Sequence, residues 1–165
     1  GLVILLFLGL MTASLIGKFE AALEQKAILA IFIPLIGGMA GNSGTQALAV
    51  VVRGIATGDL EEENKWKLIL KEAFTGMIIG ATCGAIISLV IYLIYGELLL
   101  GFLVGGAIFA TLIVSTLAGS LVPLIMHKMN IDPAVASGPF ITTISDIISI
   151  LIYFGLATVF MGYIT

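Results

Sequence analysis

Asp146 is the residue of this sequence best placed to do chemistry. It follows Pro133 by about 13 residues, or ~20 Å along a helix, and nearly as much apolar sequence lies beyond it. A carboxylate at such a depth in a membrane costs roughly 2.5–3.5 kcal/mol on insertion scales and usually faces a cavity or a partner. No Lys or Arg stands at a matching depth in any apolar segment, so an internal salt bridge does not account for it. Gly138, Thr142, Asp146, Ser149 and Tyr153 follow spacings of four, four, three and four, and Ser145 lies close to that line. These spacings align on one side of a helix. The stripe offers oxygen and no sulfur, the donor set that hard divalent cations prefer. The residues alone leave two main readings open, with a proton relay as a third. Asp146 is either protonated and hydrogen-bonded to a facing Ser, Thr or Asn for packing, or ionised and lining an aqueous path for a cation.

A second polar break matches the first. From Pro34 the chain reads PLIGGMAGNSGTQ, with Asn42, Ser43, Thr45 and Gln46 inside an apolar run. Asn42, Gln46, Ala49 and Arg53 share one helical face by their spacing. The glycines at 37, 38, 41 and 44 permit bending or local unwinding, and Pro34 removes one backbone donor. Freed carbonyls are tolerated at membrane depth only where they are packed or line water. A packed kink with amides as interhelical glue is one reading. A pore wall shared with the Asp146 stripe is the preferred one. Asp132, just before Pro133, reads as an N-cap with proline at the first helical position, and it could also attract cations at a pore mouth. His127 and Lys128 read as solvated loop residues. Cys83 is the only cysteine and sits in an apolar run, which excludes an internal disulfide or a cysteine metal cage.

The elements that must position these groups follow from composition. Hydrophobic residues make up 60% of 165 and charged residues 10%, with a mean hydropathy of +1.23. A soluble domain carries about 25% charged residues, so the reading is an all-α integral membrane protein. Five apolar segments are expected to span as helices: about 2–16, 27–52, 73–95, 98–126 and 133–164. A helix satisfies its own backbone where water is absent, and no ten-residue alternating strands of a barrel occur. Charged residues fill the connectors: the amphipathic link Lys18–Lys26, then Arg53–Glu72 with Asp59, Glu61–Glu63 and Trp66, then His127, Lys128 and Asp132. Asp59 can cap a short helix, and Trp66 suits the membrane–water interface. Gly76, Gly80 and Gly84 form a small-residue stripe on the third helix, and Gly101 and Gly105 one on the fourth, for close packing in lipid. The second and fourth connectors carry Arg53, Lys65, Lys67, Lys71 and Lys128, against Lys18 and Lys26 on the other side. The positive-inside rule then places the N-terminus in the cytoplasm and the C-terminus outside the cell or in the periplasm. The net charge of −3 and the lack of a basic face argue against nucleic acid. No charged region precedes the first apolar run and no small-residue cleavage site follows it, so a signal peptide is not expected. Residues 1–165 read as a transmembrane channel domain, from which a cytoplasmic part on the N-terminal side is expected to be missing.

PLIGGMAGNSGTQ on the second segment and DPAVASGPFITTISDI entering the fifth resemble the MgtE family of magnesium channels and transporters. The resemblance extends over five spans, the long second connector and the TASLIGKFE stretch ending the first. It implies a homodimeric, magnesium-selective channel in the cell membrane, with the pore between subunits and lined by helices two and five. On that reading Asn42, Gln46, Gly138, Thr142 and Ser149 line the pore and Asp132 stands at its entrance. Asp146 of two subunits holds a largely hydrated ion, which fits the reluctance of magnesium to shed its shell. Some relatives carry a polar amide at the position of Gly138, where this chain offers only a carbonyl. Bacterial members carry cytoplasmic magnesium-sensing domains before the first helix, which this sequence does not include. A single stripe cannot enclose a pore, which independently favours two copies. Mg²⁺ is then substrate and pore ligand, with Mn²⁺ and Co²⁺ as possible alternatives, and the lipid bilayer and a second copy are the partners. The alternative is a sodium-coupled secondary carrier on the same scaffold. Enzymatic function is not expected: an intramembrane aspartyl protease needs a second carboxylate sharing a proton with the first, and none is expected deep in any segment. A purely structural subunit would leave the cost of Asp146 unexplained.

Overall fold

The computed structural model describes residues 2–19, 27–60, 62–136 and 138–164, and among them every regular element is helical. The helices are α1 (Leu2–Lys18), α2 (Ile33–Thr57), α3 (Glu62–Tyr95), α4 (Leu98–Lys128) and α5 (Gly138–Ile164). A single turn, Ile28–Ile31, leads into α2, and a 3-10 turn, Pro133–Val135, precedes α5. Four helical stretches of the described residues are long and apolar enough to cross a membrane: Ile28–Thr57, Asn64–Tyr95, Leu98–Lys128 and Gly138–Phe160. The apolar helix Leu2–Lys18 is shorter, at 17 residues. Most of the link read as amphipathic, residues 20–26, lies outside the described residues.

Several boundaries differ from the sequence reading, each for a local reason. The third helix begins at Glu62 rather than about 73. Glu, Lys and Leu are strong helix formers, so EENKWKLILKE continues the helix beyond its apolar run. At 34 residues it is ~50 Å long and exceeds a ~30 Å hydrocarbon core. The fifth helix begins at Gly138 rather than 133. A helix running on from Pro133 would need the N–H that Pro139 lacks and would drive its ring into the carbonyl four residues before. Proline at the second helical position is tolerated there. Asp132 therefore caps the 3-10 turn, where its Oδ1 accepts the Ala134 N–H at 3.0 Å. The second helix stays helical through Thr57, with no unwound turn at its glycines and with Pro34 in its first turn. Gly58 ends it at φ 73, its N–H donating to the Ile55 carbonyl at 3.2 Å. Thr57 Oγ1 donates to Asp59 Oδ2 at 2.7 Å beside it.

Helix α4 is central and packs against α3, α2 and α5, while α1 rests on α5. Glycines set how closely α3 and α4 approach. A Cβ on Gly84 would lie 2.6 Å from the Gly105 carbonyl oxygen, and one on Gly80 would lie 3.0 Å from that of Phe109. Ser88 Oγ donates across the seam to the Gly101 carbonyl at 2.8 Å. The expected small-residue stripes thus meet face to face, where dispersion drives helix association in lipid. Two apolar clusters close the ends of the bundle. One joins Leu29, Ile36, Ile91, Leu103 and Phe154, and the other joins Leu48, Ala136 and Ile141. Between them lies a layer of glycines and hydroxyls, including Gly41, Gly44, Thr111, Ser115 and Ser145.

Candidate ion pathway

Helices α2 and α5 run antiparallel in steps of four residues, with a small side on each rung. A Cβ on Gly37 would lie 3.2 Å from Asp146 Oδ1, and one on Gly41 would lie 2.9 Å from Thr142 Cγ2. At the far end a Cβ on Gly138 would lie 3.6 Å from Thr45 Cγ2. Gly37, Gly41 and Gly44 of PLIGGMAGNSGTQ therefore serve close approach rather than bending. Any side chain at position 37 would press on the carboxylate.

Asp146 is half-buried, and its side chain lines a cleft of about 230 Å³ between α1, α2 and α5. Thr12, Pro34, Gly37, Gly38 and Ser149 share the cleft. Among the described residues no donor reaches the Asp146 carboxylate within hydrogen-bond distance. The partner demanded by the packing reading is thus not among them. Asp146 stands eight residues into α5, ~12 Å along it rather than ~20 Å, and another 18 residues of helix follow.

The other site candidates divide. Asn42 and Gln46 are exposed on the same side of α2 as Ala49 and Arg53, so no helix among the described residues of one copy covers this polar face. Gly138 and Thr142 are half-buried beside it. Ser149 is buried and donates to the Asp146 backbone carbonyl at 2.7 Å, yet borders the cleft. Asp132 is exposed at the α4–α5 connection. Tyr153 of the stripe and its neighbour Ser145 turn inward, contrary to expectation. Tyr153 is buried and donates to the Leu29 carbonyl at 2.8 Å, because the turn Ile28–Ile31 folds over that end of α5. Ser145 is fully buried behind Gly44 and has no hydrogen-bond partner among the described residues; the same lack holds for the buried hydroxyls of Thr111 and Ser115 on α4.

Glu72 was missed by sequence reasoning. Assigned to a connector, it is a buried carboxylate within α3, more enclosed than the half-buried Asp146. Its signal was the period of four that runs from Glu72 through Gly76, Gly80 and Gly84. No group of three or more His, Cys, Asp or Glu is arranged to hold a metal ion among the described residues. Binding through Asp146 therefore calls for water or another copy to complete the ligand shell.

Comparison with known proteins identifies the family. A family model described as MgtE, divalent cation transporter, matches residues 33–156, from the start of α2 through most of α5. The chain belongs to the MgtE family. The magnesium transporter MgtE of Enterococcus faecalis is 51% identical over 162 residues, covering 98% of this chain and 36% of that protein. Its namesake from Bacillus subtilis is 48% identical over 160 residues, covering 97% and 36%. That of Thermus thermophilus is 33% identical over 156 residues, covering 94% and 34%. This MgtE-family chain thus spans about a third of the length of those relatives. Family membership and the apolar helices together make it an all-helical, multi-pass membrane protein.

Proposed function

We propose that this chain conducts magnesium across the cell membrane through a pore between two copies of itself. Five helices span, α1 included, with the N-terminus cytoplasmic and the C-terminus on the outer side. The open faces of α2 and α5 from each copy form the wall. The observation that carries this reading is the Asp146 carboxylate, which lies against bare α2 backbone in a cleft and has no donor among the described residues. Uncompensated charge at that depth is costly unless water or a cation reaches it. Two such groups facing one axis supply what a hydrated Mg²⁺ needs, oxygen acceptors at a distance that leaves its water shell in place. Asn42, Gln46 and Thr142 add neutral acceptors along the wall, with the Gly138 carbonyl and Ser149 beside them. Asp132 gathers cations at the cytoplasmic mouth, where an exposed charge acts through the local potential.

Magnesium entry into proteoliposomes tests this, read by an entrapped fluorescent indicator at several sodium gradients, with the full-length protein. Asp146→Asn and Asp146→Ala are expected to reduce flux at least roughly tenfold, ~1.4 kcal/mol. Normal flux in both variants would remove Asp146 from the pathway. Flux strictly coupled to the sodium gradient would replace the channel by a carrier.

A further inference from the structure

A second cleft, of about 400 Å³, lies where the end of α2 meets the start of α3. Arg53 enters it from α2, and Asn64, Lys67 and Lys71 enter it from α3. The α3 residues recur every three or four positions and so share one helical face. Among the described residues, three cations and the carboxylate of Asp59 line the cleft, a formal balance of 3 − 1 = +2. The Asp59 carboxylate is engaged by Thr57 Oγ1 at 2.7 Å. No ion pair to Arg53 or Lys67 occurs among the described residues. Leu60 packs over Gly54, and Val50 and Leu68 complete an apolar wall beside the charges.

The geometry points to a binding site for the phosphate headgroup of an anionic phospholipid between α2 and α3. The volume suits a small ligand. Basic pockets between transmembrane helices at the membrane surface recognise anionic headgroups. A lipid is favoured over a free phosphate by what lies next to the cations. Leu70 and Phe74 follow Lys67 and Lys71 by three residues on α3 and are 67% and 62% exposed. They extend an apolar track from the cleft toward the membrane-spanning part of the helix, where acyl chains would lie. Trp66, 70% exposed, stands at the level where indole rings prefer the interface. The site is separate from Asp146, and lipid retention is read apart from ion flux, so the two proposals fail independently.

Native mass spectrometry of the full-length protein in detergent tests it, with equimolar phosphatidylglycerol and phosphatidylcholine of matched chains. Phosphatidylglycerol is expected to be retained preferentially. Each of Arg53→Gln, Lys67→Gln and Lys71→Gln should weaken it roughly fivefold, and the triple variant should abolish the preference. Lys67→Arg with Lys71→Arg should keep it, as should Lys18→Gln with Lys128→Gln. Should the triple variant fail to fold, the single variants decide. Equal retention of the two lipids, or single variants that bind like the parent, would overturn the site. Inorganic phosphate that displaces phosphatidylglycerol as effectively as the lipid itself would make it a free-anion site and overturn the lipid assignment.

Discussion

Three polar side chains on one helix have three different fates, and what each one faces decides it. Asp146 faces a cleft, Tyr153 is tied to the Leu29 carbonyl, and Ser145 is sealed without a partner among the described residues. Tyr153→Phe is expected to destabilise the fold by about 0.5–1.5 kcal/mol, the net worth of one hydrogen bond. The cost stays modest because the Leu29 carbonyl also accepts the Phe32 N–H at 3.3 Å. Ser145→Ala should leave stability unchanged or raise it, since a buried hydroxyl without a partner is a liability. Thermal unfolding in detergent compares the two directly. Gly37→Ala would set a methyl 3.2 Å from Asp146 Oδ1, whereas a methyl on Gly38 would meet nothing within 4 Å. Magnesium flux should fall in the first and persist in the second, with both proteins folded.

At the scale of elements, glycine is a packing residue here more than a hinge. Gly105 and Gly106 are neighbours on α4 with opposite surroundings. A Cβ on Gly105 would strike Ser88 Oγ and the Gly84 carbonyl, while one on Gly106 would meet nothing within 4 Å. Gly105→Ala is expected to cost about 1–3 kcal/mol by forcing α3 and α4 apart. Gly106→Ala should be neutral or slightly stabilising, because alanine is the better helix former. A denaturant or thermal series on both variants checks the contrast. The same logic explains why α2 stays helical despite four glycines between 37 and 44. Gly41 and Gly44 face α5 at contact distance, so packing fills the space that unwinding would otherwise relieve.

For the whole molecule, the polar side of α2 needs a cover. Asn42 and Gln46 stand exposed, although Leu93 and Phe74 on α3 are exposed as well. The chemistry differs: lipid suits Leu93 and Phe74, whereas amides and a carboxylate call for water or a second polar wall. In a Cys83→Ser background, Asn42→Cys is expected to yield a two-chain product with a bifunctional maleimide long enough to span a hydrated path. Leu93→Cys, 71% exposed on α3, should not. Denaturing electrophoresis reads the outcome, and equal crosslinking of both would argue against an α2-lined interface.

Much of this architecture was legible in the residues. Apolar run length locates helices because a backbone in lipid must bond to itself, and an acid inside such a run marks itself by its cost. Periods of four placed the Gly76–Gly80–Gly84 and Gly101–Gly105 stripes where α3 and α4 meet. Boundaries were less legible. The helix formers before residue 73 extended α3, and Pro139 shortened α5, effects of local propensity and sterics that an apolar run does not register. Only the tertiary structure decided which side of each polar stripe is open. Tyr153 and Asp146 share a helical side in sequence, yet the turn at Ile28–Ile31 covers one and leaves the other in a cleft. Helical spacing assigns residues to a common side, but the packing of other helices determines whether that side meets protein, lipid or water.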